Sequence, residues 1–335
     1  MTAHHLQQFL DLALALALAF ARARARARAS ARASARRVLS LGLVMALLGA
    51  DLQAQTTAPA AVARPALAPG NGKLLLTGGV SSIDGAAGGG LTPWAVIGSQ
   101  ATDGEIGATA FIARTVTQDY ALTAFGAAIG VDDRVELSLA RQTLNVNVVV
   151  PDTTLKLDIL GLKIRVTGDA VLEADTLLPQ VAVGIEFKRV DPGPAVGGVL
   201  DSVGAKRHGI DVYASATKLF LAQGILVNGT LRITKANQNG LLGFGASDRR
   251  GYTLKPELSV AWLLRRDLAV GAELRFKPNR LSFAGAAFQE DDWKDLFIAW
   301  APSKHLSVTA ACVDLGNIVG HPRQRGAYLS LQLAY

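Results

Sequence analysis

The sequence predicts an all-β protein, a transmembrane antiparallel up-and-down β-barrel of 12 (or 14) strands with short periplasmic turns and longer outer loops. Three observations carry that expectation. From Lys73 onward, segments of about ten residues alternate apolar and polar side chains, the two-residue period of a strand. About ten residues is the length that crosses a bilayer at a tilt, whereas a soluble sheet uses strands of about 5–6. The links between these segments alternate short and long, as in outer-membrane barrels. A soluble meander has no reason to alternate.

Residues 1–54 read as a signal peptide with a low-complexity N-terminal extension. They hold seven arginines against two acids, and residues 55–335 hold 27 basic and 25 acidic residues. The pI near 9.7 therefore belongs mainly to the leader, and no nucleic-acid partner is expected. Arg36-Arg37 precede an apolar stretch, 38–50, too short for a spanning helix of about 20 residues. This suits an ordinary secretory signal cleaved after Ala54. Upstream, the Leu-Ala and Ala-Arg repeats are low complexity rather than a strand. Residues 55–72 form an Ala/Pro-rich linker. One cysteine excludes a disulfide framework and a cysteine-based zinc cluster.

Residues 73–104 are Gly-rich, with Gly85-Ala-Ala-Gly-Gly-Gly90 at their centre. They are either an extra hairpin (73–82 with 91–99), giving 14 strands, or part of an inward-folded plug. The barrel proper is 105–335. Its strands are expected at 105–114, 120–131, 134–142, 156–166, 179–189, 209–218, 225–237, 253–264, 268–278, 293–302, 304–314 and 326–335. Short turns fall at Asp132-Asp133, 222–224, 265–267 and Pro302-Ser303. Long links fall at 143–155, 190–208, 238–252, 279–292 and 315–325; 167–178 is intermediate and 115–119 is short for its side. The last long link places the C-terminus on the periplasmic side. There Leu329, Leu331, Leu333 and Tyr335 alternate with Ser330, Gln332 and Ala334, a pattern resembling the signal read by the barrel-assembly machinery.

Several segments resemble an uncharacterised bacterial outer-membrane family, domain of unknown function 3034. They are GKLLLTGGVSSIDGAAGGGLTPWAVIG (72–98), DRVELSLARQ (133–142), LLGFG (241–245), EDDWKDLFIAWAPSKHLSV (290–308) and RGAYLSLQLAY (325–335). The resemblance spans about 72–335 and implies an outer-membrane barrel. It brings no activity and no catalytic residues.

The polar faces sketch a lumen lined by Arg134, Glu136, Glu186, Lys188, Arg232, Lys255, Glu257, Glu273, Arg275 and Lys277, with Asn228 and Thr230. Charges of both signs on one face either pair across strands and fill the barrel or line a narrow mixed-charge path. The expected function is a porin-like passive channel or transport protein; the alternative is a closed structural or surface-interaction barrel. A lipid-modifying enzyme would need a nucleophile–base pair. His208, His305 and His321 map to links, His305 by a periplasmic turn and the other two in outer loops with Ser247 and Asp248, and no motif unites them. Neither catalysis nor a cofactor is expected. The acidic run Glu290, Asp291, Asp292, Asp295 reads as a solvated outer loop, with calcium binding or lipopolysaccharide bridging as the alternative. Cys312 is expected to face lipid or a buried apolar site. The tryptophans and tyrosines lie mostly near strand ends, as interfacial girdles would. The expected partners are outer-membrane lipid and lipopolysaccharide, and the assembly machinery through the C-terminal strand.

Overall fold

The computed structural model describes residues 67–171, 176–247 and 251–335. The expected signal segment (1–54) and residues 55–66 of the expected linker lie outside the described residues.

Twelve strands form the wall: β1 (Glu105–Thr117), β2 (Ala121–Val131), β3 (Val135–Asn145), β4 (Thr154–Thr167), β5 (Gln180–Asp191), β6 (His208–Phe220), β7 (Ile225–Thr234), β8 (Thr253–Arg265), β9 (Leu268–Arg275), β10 (Trp293–Ser303), β11 (Leu306–Asp314) and β12 (Arg325–Ala334). Each pairs antiparallel with the next, and β12 returns to β1, from Gly326↔Thr117 to Ala334↔Thr109. Closure leaves no wall edge unpaired, which a bilayer requires because it offers no water to free N–H and C=O groups.

Large apolar side chains face outward and stay uncovered by protein, among them Leu137, Leu160, Val183, Leu231, Val260 and Leu296. So much exposed apolar surface on one face of every strand is the face a bilayer covers. The alternation is strict in register: Leu139 lies opposite Leu160, and Leu160 opposite Phe187. Towards the outer end the polarity inverts. On β4, Leu155, Leu157 and Ile159 are buried inside, whereas Lys156 and Asp158 are exposed outside. The outward row Arg141, Asp158, Arg189 crosses β3–β5 at that height. It marks where the apolar band gives way to polar surroundings.

The periplasmic links are short, at 132–134, 221–224, 266–267 and 304–305, with 168–179 longer. The outer links are longer apart from 118–120, and 192–207 carries a helix, α1 (Gly193–Ser202). In the turn 132–134, Asp132 and Asp133 take positive φ of 57° and 41°. Aspartate tolerates that left-handed region better than most residues.

The 14-strand alternative is corrected. Residues 73–82 and 91–99 add nothing to the wall; they enter the lumen. Their polar groups are met by side chains of the inner face rather than by a neighbouring strand, so no ladder forms. Only Val80–Ser81 pairs with Ala87–Gly88, a two-residue hairpin inside the barrel. The chain approaches from the periplasmic end, where Ala68–Pro69 runs parallel to Glu105–Ile106 and the Lys304 ammonium donates to the Asn71 carbonyl at 2.6 Å. The aromatic girdle is corrected in part. Trp262, Trp300, Tyr252 and Tyr335 are exposed, but Trp94, Trp293, Tyr120, Tyr213 and Tyr328 are buried in the interior. Those five have inner-face positions or an inward segment to pack; the Trp94 indole donates to Ser259 at 3.0 Å and the Tyr120 hydroxyl to the Ile318 carbonyl at 2.9 Å.

Candidate functional site

The site is the barrel interior, built by every second residue of the strands together with residues 73–101. At its centre is a lattice of ion pairs within and across strands β5 to β9. Arg232 on β7 bonds Glu257 on β8 at 2.5 Å and Glu186 on β5 at 2.7 Å. Lys188 on β5 meets Glu186 and Asp211, each at 3.0 Å. Arg275 on β9 meets Glu257 at 3.3 Å. These residues are 3% exposed or less. Charges so far from bulk water persist only when paired and hydrogen-bonded. The Arg232 guanidinium also lies 5.1 Å from the Tyr213 ring centre.

A second cluster lies on β3 and β4. Lys163 donates to Glu136 at 3.1 Å, and to the carbonyls of Ala87 at 3.0 Å and Val96 at 2.8 Å. Glu136 accepts from the backbone N–H of Gly98 at 2.6 Å and of Ala87 at 3.1 Å. A third lies on β8 and β9. Glu273 accepts from the N–H of Leu91 at 2.7 Å and of Thr92 at 3.2 Å, from the Thr92 hydroxyl and from the Ser259 hydroxyl. Between them, Pro93 offers its carbonyl to Thr230 at 2.8 Å, and Ala95 is held on both sides, its N–H by Thr217 and its carbonyl by Gln180. Gln332 on β12 accepts from the Ser81 hydroxyl at 2.7 Å. Side chains of eight wall strands thus bond polar groups of the inward segment.

At the segment's apex, Asp84 sits in a tight turn ahead of Gly85 (φ 95°). Its carboxylate accepts from Gln142 and Asn239, each at 2.8 Å, and meets Arg275 at 2.9 Å, Lys188 at 3.5 Å and Arg232 at 4.0 Å. Burial pushes this carboxyl up, but the three cations together overcome burial and hold it well below the usual carboxylate range.

The outer end is closed by residues 235–247 of the link after β7. Leu241, Leu242 and Phe244 are buried, and Phe244 lies so close to Gly209 that a Cβ there would come within 2.2 Å of the ring. Asn239 reaches in to Asp84, while its carbonyl oxygen accepts from Arg275 at 2.8 Å and Lys188 at 3.2 Å. Beside it, Lys277 donates to Gln238 at 2.8 Å, stands 3.6 Å from Glu290 and lies 4.7 Å from the Trp293 ring centre. Burial pulls the Lys277 ammonium down to about 8 and pushes Glu290 up to about 7. At the periplasmic end Asp133 joins Lys73 at 2.6 Å and Arg165 at 2.7 Å, beside a cavity of about 90 Å³ with room for a few waters. Burial raises the Asp133 carboxyl against the pull of Lys73.

Of the lining residues expected from sequence, Glu136, Glu186, Lys188, Arg232, Glu257, Glu273, Arg275 and Lys277 lie inside and buried. Lys255 shares their face but is only half-buried near the outer rim. Arg134 is a correction: it is exposed in the periplasmic turn before β3, where a long cation reaches water instead of the lumen. Sequence reasoning missed Lys163, Asp211, Gln142 and Asp84. Leu329, Leu331 and Leu333 point outward and Tyr335 is exposed, with its N–H and C=O bonded to Ala108. The acidic run does not act as one cluster. Glu290 turns inward to Lys277, Asp291 takes the Asn317 N–H, Asp292 takes the Lys277 N–H, and Asp295 faces Glu273 across β9–β10. Among the described residues no group of acids, histidines or cysteine is arranged to hold a metal ion. His208 opens β6 and is exposed, His305 bonds the Ala334 carbonyl and His321 bonds Tyr120. Ser247 donates to the Val203 carbonyl, and Asp248 lies outside the described residues. Cys312 is exposed on the outward face of β11.

The model of a family described as "Protein of unknown function (DUF3034)" matches residues 77–332. None of the curated proteins matches the sequence. Among solved structures, the KdgM porin aligns over 68% of this chain and 99% of its own, at 10% identity and a TM-score of 0.44. The NanC porin aligns over 68% and 98%, at 10% identity and 0.44. Outer membrane phospholipase A from Escherichia coli aligns over 67% and 89%, at 11% identity and 0.37.

Proposed function

Because the chain belongs to DUF3034, a family of unknown function, its activity has to be argued from its own geometry, and we propose that it is an outer-membrane barrel of the porin-like passive kind whose path is held closed by residues 73–101 acting as a plug. One observation carries the reading. The plug's backbone is hydrogen-bonded to buried wall carboxylates, amides and hydroxyls, with Glu136, Thr217 and Glu273 as its main anchors. Wall residues of a plain structural barrel would pair only with one another. Here they are spaced to receive a separate segment that enters and leaves at the periplasmic end. The leader exports the chain, the C-terminal strand presents Leu329, Leu331, Leu333 and Tyr335 to the assembly machinery, and outward Arg141 and Arg189 meet lipopolysaccharide phosphates.

Planar-bilayer recording tests this. The full chain is expected to be silent, and a chain lacking 73–101 to show channel steps. Steady ohmic conductance from the full chain would overturn the plug. Silence of the shortened chain, with a folded barrel confirmed by heat-modifiable gel mobility, would leave a closed structural barrel.

A further inference from the structure

The seat of Asp84 has the composition of a receptor for a carboxylate. Five groups converge on one carboxylate, and all belong to the wall or the outer link, none to the plug. Two amide donors, Gln142 and Asn239, take one oxygen. Arg275, Lys188 and Arg232 face the other. Glu186, Asp211 and Glu257 hold the three cations from the wall side, and Arg275 also donates to the Leu91 carbonyl at 3.2 Å. Three cations against three acids leave the surrounding lattice neutral. The seat therefore holds one carboxylate oxygen through two directed amide donors and faces the other with three cations, rather than attracting its ligand through net charge. Every other polar contact of the plug uses the backbone, a hydroxyl, the Trp94 indole or the Lys73 ammonium. Asp84 alone inserts a charge at the apex, on a turn that Gly85 makes possible.

Resting on the plug reading above, we propose that Gln142, Lys188, Arg232, Asn239 and Arg275 form a carboxylate-binding site, which Asp84 occupies as an internal stand-in and which a carboxylate-bearing solute takes over when the plug withdraws. The solutes that this barrel handles then carry at least one carboxylate, and such a solute competes with Asp84. Neutral solutes have no equivalent purchase on the seat.

The test empties the seat in the full-length protein and offers it back a carboxylate. Asp84→Ala is refolded into detergent, and its thermal unfolding is followed in sodium acetate and in sodium chloride at equal ionic strength. Acetate at about ten times its dissociation constant is expected to raise the midpoint of Asp84→Ala by roughly 2–4 °C over chloride. The native protein, whose seat is filled, should show no such difference, and Asp84→Ala/Arg275→Gln should lose it. An equal response to both anions in Asp84→Ala, or the same acetate shift in the native chain, would overturn the site. If Asp84→Ala does not refold in chloride, its refolding yield in acetate against chloride reads the same property, and no gain in acetate counts against the proposal. Neither outcome depends on conductance, so a failed plug and a failed carboxylate site are told apart.

Discussion

Replacing Glu136 by alanine should open the barrel, and the structure sets the size of the effect. Glu136 and Lys163 are each 1% exposed and 3.1 Å apart. Truncating the acid leaves the ammonium with only the Ala87 and Val96 carbonyls, and orphans the N–H groups of Gly98 and Ala87. Leaving a buried charge uncompensated costs about 3–5 kcal/mol. That cost falls on the plugged state, because in an unplugged lumen water solvates Lys163. The ratio of open to closed barrel should therefore rise roughly 100- to 5,000-fold. Single-channel recording reads this as open probability. In Glu136→Ala/Lys163→Met no unpaired charge remains, so the double variant should open less often than the single one, a coupling that a double-mutant cycle measures. A Glu136→Ala barrel that is folded, with heat-modifiable mobility, yet as silent as the native chain would refute the reasoning.

Other consequences can be checked separately. Glu290 titrates near 7 in the folded protein, against about 4.5 when free, so between those values the folded state holds a proton that the unfolded state has lost. Stability from this group is present below about 4.5 and is lost as pH rises to 7; amide exchange in 276–290 should thus be slower at pH 5.5 than at 7.5 after correction for intrinsic rates, and Glu290→Gln should abolish the difference. Gly184→Ala places a Cβ 2.2 Å from the Tyr213 ring; overpacking there should cost about 1–3 kcal/mol and lower the urea midpoint, and an unchanged midpoint would mean the ring has room to move. Cys312, outward on β11, should resist a water-soluble maleimide in liposomes and react with a lipid-soluble one, whereas equal labelling by both would place that face in water. Once open, the barrel should discriminate weakly between potassium and chloride, because its lining carries both signs; a strongly shifted reversal potential would contradict that lining.

The wall was legible because a membrane barrel imposes its own pattern on sequence. Every expected strand from 105–114 to 326–335 has its counterpart, all within three residues at each end. Lipid outside and polar groups inside force the two-residue period. Lys163 was hidden by the inversion of that pattern, whereas Asp211 sits on a regular polar face of β6 with Tyr213, Ser215 and Thr217. On β4, Leu155, Leu157 and Ile159 face in where the outer links pack on them, and Lys163 faces in farther down. Read as one run, the strand shows no consistent polar face. Arg134 erred the other way: its parity is right, but the strand begins one residue later, and at a rim parity no longer decides what a long side chain meets. Residues 73–101 left two readings open because an inward segment surrounded by side chains needs no periodicity. Its order comes from partners scattered over eight strands, and spacing along one chain does not encode that. Asp84 looked like a turn residue before glycine, and only the fold brings Lys188, Arg232 and Arg275 around it.

The most direct measurement places the plug inside the wall in the native membrane. The hydroxyls of Thr92 and Ser259 are 2.5 Å apart, so thiols at both positions come within reach of disulfide geometry. Thr92→Cys/Ser259→Cys in a Cys312→Ala background, oxidised in intact outer membranes, is predicted to form an intramolecular disulfide in most of the folded protein, seen as a shift in gel mobility that reductant reverses. Free thiols at both positions in a folded barrel would contradict a lumen filled by residues 73–101.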